Sequence, residues 1–86
     1  MPDIEIYTQP GCPYCARAIR LLEEKGVNFR EVSAPAGTPA RQAALRRSGG
    51  RTSVPQIFVD GHHIGGCDDL MALDHAGGLD RLLRAA

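Results

Sequence analysis

The chain has 86 residues, 43% of them hydrophobic, with 10 Lys+Arg balanced by 10 Asp+Glu. That length gives one domain, residues 1–86, with enough apolar content for one core. The balanced charge gives no ground for a nucleic-acid partner, and no apolar stretch reaches membrane-spanning length, so neither partner is expected.

"IEIY" (Ile4 to Tyr7) alternates between turn residues and predicts a strand. "TQPGCP" breaks the pattern, and from Tyr14 to Lys25 the residues Ala18, Ile19, Leu21 and Leu22 recur at helical spacing, with Gly26 as the stop. "NFREV" predicts a second, short strand. "APAGTPA" is a loop in which Thr38 is placed as an N-cap and Pro39 as the first residue of a helix running to about Arg47. "QIFVD", Asp60-Gly61 and "HHIG" predict a hairpin. "CDDLMALDHA" predicts a helix with acidic residues in its first turn, and after Gly77-Gly78 "LDRLLRAA" predicts a last helix with Leu79, Leu82 and Leu83 on one face. The order implies an α/β fold: one mixed sheet between helices, with the first two strands parallel through a right-handed crossover.

"LRRSGGR" is a local basic patch and reads as solvated surface. "MPDIEIYT" has neither the basic start nor the apolar run of a secretory signal. Three cysteines are too few, and odd in number, for a disulfide-dense secreted scaffold. A cytoplasmic location follows as the expectation. In a reducing cytosol a Cys-x-x-Cys pair is more often catalytic or metal-binding than structural.

The pair is Cys12 and Cys15, in "QPGCPYCARA". Cys12 falls at the joint between strand one and helix one, where free N–H groups and the positive end of the helix dipole favour a thiolate. Cys15 falls one turn inside, close enough to form a disulfide and less accessible. The spacing therefore separates an attacking sulfur from a resolving one. The competing reading is structural zinc, with Cys12, Cys15, Cys67 and His62 or His63 as ligands. Cys67 has no second Cys-x-x-Cys beside it, and the strand–helix joint suits an activated thiol, so the redox reading is preferred and no metal is expected.

Two further stretches bear on function. In "TSVPQIFVD", Pro55 is either an ordinary strand-initiating trans proline or a cis proline that leaves the Val54 backbone free to pair with an extended peptide. In "GGCDD", the glycines allow close approach, and the N–H groups of Cys67, Asp68 and Asp69 suit a carboxylate. The Asp68 or Asp69 side chain would accept from an ammonium group, so the stretch suits the zwitterionic end of an amino acid. Helix capping by Asp is the plainer alternative.

"CPYC", "SVPQIFVDGHHIGGCDDL" and "GGLDRLL" together resemble the glutaredoxins, close to the bacterial glutaredoxin 3 type, over nearly the whole chain. The resemblance implies a thioredoxin fold, a four-stranded mixed sheet flanked by helices, with Pro55 cis and opposite Cys12. It implies a glutathione-dependent thiol–disulfide oxidoreductase with glutathione as co-substrate and no tightly bound cofactor. Its partners would be glutathione and glutathionylated or disulfide-containing proteins, and the chain would act as a monomer. Cys12 would take the glutathionyl group from a mixed disulfide, and a second glutathione would release it. In the dithiol route Cys15 would resolve the Cys12–client disulfide. Around the tripeptide the resemblance puts Gln9, Tyr14, Ser53, Val54, Pro55, Gly66, Cys67, Asp68 and Asp69. Tyr14 would flank it, Val54 would pair with its cysteine backbone, and Cys67, Asp68 and Asp69 would hold its γ-glutamyl end. Arg41 and Arg51 are further candidates for its glycine carboxylate.

Gln9 departs from the family pattern, which often has Lys three residues before the first cysteine. A cation there would attract the glycine carboxylate and stabilise the thiolate. Two alternatives stand beside the main reading. One is a thioredoxin-like reductant served by a flavoprotein reductase, against which "GGCDD" argues. The other is an iron–sulfur carrier holding a cluster through Cys12 and glutathione, against which the stiffening Pro13 argues. Plainer readings cover the rest: His62 and His63 as surface residues of a hairpin, His75 near a helix end, and Leu70, Met71 and Leu73 as core. Cys67 is either a backbone donor alone or an extra oxidisable thiol.

Overall fold

The computed structural model describes residues 2–84. The elements in chain order are β1 (Ile4–Thr8), α1 (Pro13–Glu24), β2 (Arg30–Ser33), α2 (Pro39–Arg47), β3 (Gln56–Val59), β4 (His62–Gly65), α3 (Cys67–His75) and α4 (Gly78–Arg84). The sheet order is β2-β1-β3-β4. β1 and β2 are parallel, whereas β1–β3 and β3–β4 are antiparallel. This is the mixed α/β sheet that the element pattern implied, in the thioredoxin-like fold that the resemblance implied.

The period-2 alternation of β1 sorts its side chains between the two faces of the sheet. Ile4 and Ile6 are buried with Ala18, Leu21 and Leu22 of α1, Ile57 and Val59 of β3, Leu70 of α3 and Leu79 of α4. Tyr7 points the other way and is buried with Phe58, Ala34 and Ala44 beside α2. Two apolar layers thus hold α1, α3 and α4 on one face and α2 on the other. Full burial of an aliphatic or aromatic side chain contributes about 1.5–3 kcal/mol. Arg47 closes the α2 side, with its guanidinium carbon 4.1 Å from the Phe58 ring centroid and its donors on Tyr7 Oη and Glu5.

Local signals set the element ends. Thr38 caps α2 by accepting from the Arg41 N–H at 3.2 Å, and Pro39 follows at the first helical position. The β3–β4 turn puts Asp60 and Gly61 at φ 50° and 80°, the left-handed pair that a two-residue hairpin loop uses. β2 begins two residues later than "NFREV" predicts. Its ladder starts at Glu5↔Arg30, and Phe29 packs into the core from the preceding loop instead.

The last helix corrects one expectation. Leu79 is fully buried and Leu83 packs against the same core, but Leu82 is 37% exposed. Residues four apart share the narrow inward stripe of this helix, and Leu82 falls beside it. The predicted end of the helix at Ala85 and Ala86 lies outside the described residues.

Candidate active site

Cys12 is the N-cap of α1, with extended backbone at φ −99° and ψ 105°, and Pro13 opens the helix. The Cys15 N–H donates to Cys12 Sγ at 3.2 Å. A negative charge on that sulfur therefore meets a backbone donor and the positive end of a helix dipole. Cys12 is half-buried, whereas Cys15 is 3% exposed. Burial is the main reason that the Cys15 thiol is pushed up to about 12, and its hydrogen bond to Cys12 adds to the rise. The two sulfurs thus differ in access, and burial opposes ionisation at Cys15.

The Val54–Pro55 peptide bond is cis. The β1–β3 ladder ends at Tyr7↔Gln56, so Val54 lies beyond its last pair. The Val54 carbonyl lies 3.8 Å from Cys12 Sγ. Buried Gln56 supports this loop: its Nε2 donates to the Ser53 carbonyl at 2.9 Å, and its Oε1 meets His63 Nε2 at 2.6 Å. His63 is therefore no simple surface residue. It is half-buried, tilted against Phe58 at 5.1 Å between ring centroids, and its basicity is lowered mainly by that burial. His62, one residue earlier, is exposed as expected.

Tyr14, Ser53, Val54, Pro55, Gly66, Cys67, Asp68 and Asp69 come together with Arg51 as the walls of one groove of about 280 Å³. Sequence separation hides this meeting of α1, the cis-proline loop and the start of α3. Tyr14 is the most exposed large apolar side chain there, at 55%.

The two aspartates have different surroundings. Asp69 Oδ2 accepts from the Gly66 N–H at 2.9 Å and from Arg51 Nη2 at 3.0 Å. The Gly66 N–H, then Arg51, hold the Asp69 carboxyl below the usual carboxylate range. Gly65 has φ +127°, and a Cβ there would sit 2.3 Å from Asp69 Oδ2, so only glycine fits beneath this cap. The carboxylate of Asp69 is thus taken, which leaves that of Asp68, exposed on the same groove, to face a ligand. Cys67 is 4% exposed, and burial raises its thiol.

Gln9 lies apart from these walls. Its Oε1 accepts from Arg41 Nη1 at 2.8 Å, and the same guanidinium donates to the carbonyls of Ala34 at 2.9 Å and Thr52 at 3.0 Å. Arg41 and Arg51 line a smaller groove of about 90 Å³. Arg51 also lines the first groove, so the two adjoin. A guanidinium therefore stands beside position 9, where the sequence shows only a neutral amide. The zinc alternative is not assembled. His63 is turned to Gln56, and among the described residues no group of three or more His, Cys, Asp or Glu side chains is placed to hold a metal ion. None of the described helices is long and apolar enough to cross a membrane.

The family model described as Glutaredoxin matches residues 4–64. Glutaredoxin 3 of Escherichia coli (strain K12) is 56% identical over 84 residues, covering 98% of this chain and all of the relative. The solution structure of glutaredoxin from Brucella melitensis has a TM-score of 0.82 at 54% identity, covering 95% of this chain and 88% of that one. The crystal structure of a buckwheat glutaredoxin–glutathione complex has a TM-score of 0.84 at 27% identity, covering 95% of this chain and 76% of that one. With its Cys-Pro-Tyr-Cys pair set at the start of a helix in this fold, the chain belongs to the glutaredoxin family and is a glutathione–disulfide oxidoreductase that works through Cys12 and Cys15.

Proposed function

We propose that the chain reduces glutathione mixed disulfides through Cys12 alone and protein disulfides through Cys12 and Cys15 together. In the first route Cys12 attacks the glutathionyl sulfur, the client leaves as a thiol, and a second glutathione frees Cys12 as glutathione disulfide. In the second route Cys12 bonds to a client sulfur, Cys15 displaces the client, and two glutathiones reduce the Cys12–Cys15 bond. The accessible Cys12 sulfur and the buried, hard-to-ionise Cys15 thiol support this division of labour.

The glutathione site in this reading is the groove beside Cys12. The tripeptide's cysteine backbone pairs with Val54, flanked by Tyr14, Ser53 and Pro55. Its γ-glutamyl carboxylate meets the N–H groups of Cys67 and Asp68 at the start of α3, and its ammonium meets the Asp68 carboxylate. Gly66 and Asp69 shape that end. The glycine carboxylate lies toward Arg41 and Arg51, with Gln9 holding Arg41 in place. The observation that carries the reading is the position of Val54. Its carbonyl lies 3.8 Å from Cys12 Sγ, and its residue lines the same groove as the α3 N-terminus. The buckwheat relative, whose complex with glutathione has the same fold, gives independent support.

The chain acts as a monomer, as the family resemblance implies, in a reducing cytoplasm, in keeping with its three cysteines. Residues 1–86 form one domain, and neither nucleic acid nor a membrane enters the reaction. The test is a glutathione-coupled reduction of a small mixed disulfide, run beside a flavoprotein thioredoxin reductase assay. Turnover with glutathione and none with the reductase is expected. The reverse pattern would make the chain a thioredoxin-like reductant, and a brown, visibly absorbing protein without turnover would make it a cluster carrier.

A further inference from the structure

Gln56 opens β3, and its backbone is held opposite Tyr7 as the last pair of the β1–β3 ladder. Its side chain is fully buried, and a buried amide must spend its polar atoms on partners. One partner is the Ser53 carbonyl, which can only accept, so the amide nitrogen Nε2 faces it, at 2.9 Å. The amide oxygen is thereby turned to His63, whose Nε2 carries the hydrogen that it accepts at 2.6 Å. The Ser53–Val54 peptide is trans. In a planar trans unit the carbonyl and the following N–H point in opposite directions. Ser53 sends its carbonyl to Gln56, so the Val54 N–H points away from that buried amide. Among the described residues no acceptor meets the Val54 N–H, and Val54 lines the groove beside Cys12.

We propose that Gln56 is a positioning residue for glutathione: by holding the Ser53 carbonyl it aims the Val54 N–H at the cysteine carbonyl of the tripeptide, and His63 keeps the Gln56 amide turned that way. The inference rests on the glutathione site proposed above, in which the tripeptide's cysteine backbone pairs with Val54. Without the Gln56 amide, the Ser53–Val54 unit is free to rock and to swing its N–H off the groove. An N–H that is already aimed needs no ordering when the ligand arrives. The pairing is made both before and during exchange at Cys12, so its loss weakens binding without slowing the step at the sulfur. Gln56 is buried behind the groove and acts through Ser53 alone, and His63 acts through Gln56.

The experiment measures glutathione KM and kcat in the coupled reduction of a small mixed disulfide, with a thermal melt of each variant as the check on folding. Gln56→Glu keeps the size and the acceptor for His63 but, when ionised, has no hydrogen for Ser53. Gln56→Met keeps the length and has neither, with no charge to bury. Both are expected to raise the glutathione KM about fivefold to tenfold, the effect of one oriented hydrogen bond, with kcat within about twofold of the parent. His63→Ala leaves Gln56 its bond to Ser53 and removes the second anchor of the amide, so the KM should rise about twofold. An unchanged KM in folded Gln56→Met would overturn the proposal. A kcat that falls as far as the KM rises would overturn it as well, as a general disturbance of the site. If neither Gln56 variant folds, His63→Ala decides, and a KM equal to the parent's overturns the proposal. The second measurement is amide hydrogen exchange at Val54 by NMR, in the Cys15→Ser background with and without glutathione joined to Cys12. The glutathionyl group should slow Val54 exchange about tenfold, and Gln56→Met should remove most of that protection. Equal protection in Gln56→Met would overturn the proposal and leave the glutathione site standing. No protection with Gln56 in place would overturn the glutathione site and the proposal with it.

Discussion

Replacing Asp69 with alanine removes the acceptor for the Gly66 N–H at 2.9 Å and for Arg51 Nη2 at 3.0 Å. The first bond ties down the start of α3 and is worth about 1 kcal/mol, as a helix cap is. The ion pair is roughly half exposed on both sides, 45% and 47%, so it adds only about 0.5 kcal/mol. Both Asp68 and Asp69 lie in the first turn of α3, where the helix dipole contributes about another 0.5 kcal/mol to each. Asp69→Ala should therefore cost about 2 kcal/mol and Asp68→Ala about 0.5 kcal/mol. For a chain of this size, 1 kcal/mol corresponds to about 4–8 °C in Tm, so thermal melts resolve the two. Glutathione dependence should run the other way. Asp68→Ala should raise the glutathione KM about fivefold to tenfold, the loss of one partly exposed charge-assisted hydrogen bond, and Asp69→Ala should raise it less. Acid adds a signature. The Asp69 carboxyl is held below its ordinary value of 3.8, so its stabilisation is complete above that pH and is lost as pH falls through the lower folded value. The Tm gap between the parent and Asp69→Ala should hold above about pH 4 and narrow as pH drops below 3.8. If Asp68→Ala destabilises as much as Asp69→Ala while leaving the KM unmoved, the assignment of the two carboxylates is wrong.

Cys15→Ser should keep deglutathionylation of a small mixed disulfide and lose reduction of protein disulfides, whereas Cys12→Ser should lose both; equal loss of deglutathionylation in the two variants would remove the distinction between them. Arg41→Ala should raise the glutathione KM about fivefold at low salt, about 1 kcal/mol, and less at high salt; an unchanged KM would place the glycine carboxylate elsewhere. Gln9→Lys should move that KM by less than about twofold. A lysine in place of Gln9 would meet the Arg41 guanidinium that Gln9 now accepts from, and repulsion of about 1 kcal/mol at ~4 Å in water offsets its attraction for the ligand. A much lower KM in Gln9→Lys would mean that the lysine reaches the carboxylate clear of Arg41.

What the sequence makes legible here is local. Thr38-Pro39 announces a helix start, Asp60-Gly61 a hairpin turn, and Cys12-Pro13 a helix with a sulfur at its cap, because each needs only neighbours in the chain. The "GGCDD" stretch signals the start of a helix, but not which aspartate is spent. The bond from the Gly66 N–H to Asp69 is local, but the second partner, Arg51, lies 18 residues earlier in the chain. Gln9–Arg41 and Thr8–Glu31 join residues 32 and 23 apart, and no periodicity reports such contacts. The neutral amide at position 9 does not reveal the Arg41 guanidinium that stands beside it. His63 misleads for a related reason: a hairpin strand is exposed on average, yet this side chain turns in to bond buried Gln56. Leu82 shows the limit of helical spacing, since a short helix buries only the stripe that faces its core.

The proposed function requires Cys12 to be the sulfur that exchanges with glutathione, in a groove that recognises the tripeptide. Its most direct test is to incubate the Cys15→Ser variant with glutathione disulfide and map the product by peptide mass spectrometry. One glutathionyl group is expected, on Cys12, removed again by reduced glutathione. An adduct confined to Cys67, or none at Cys12, would contradict it.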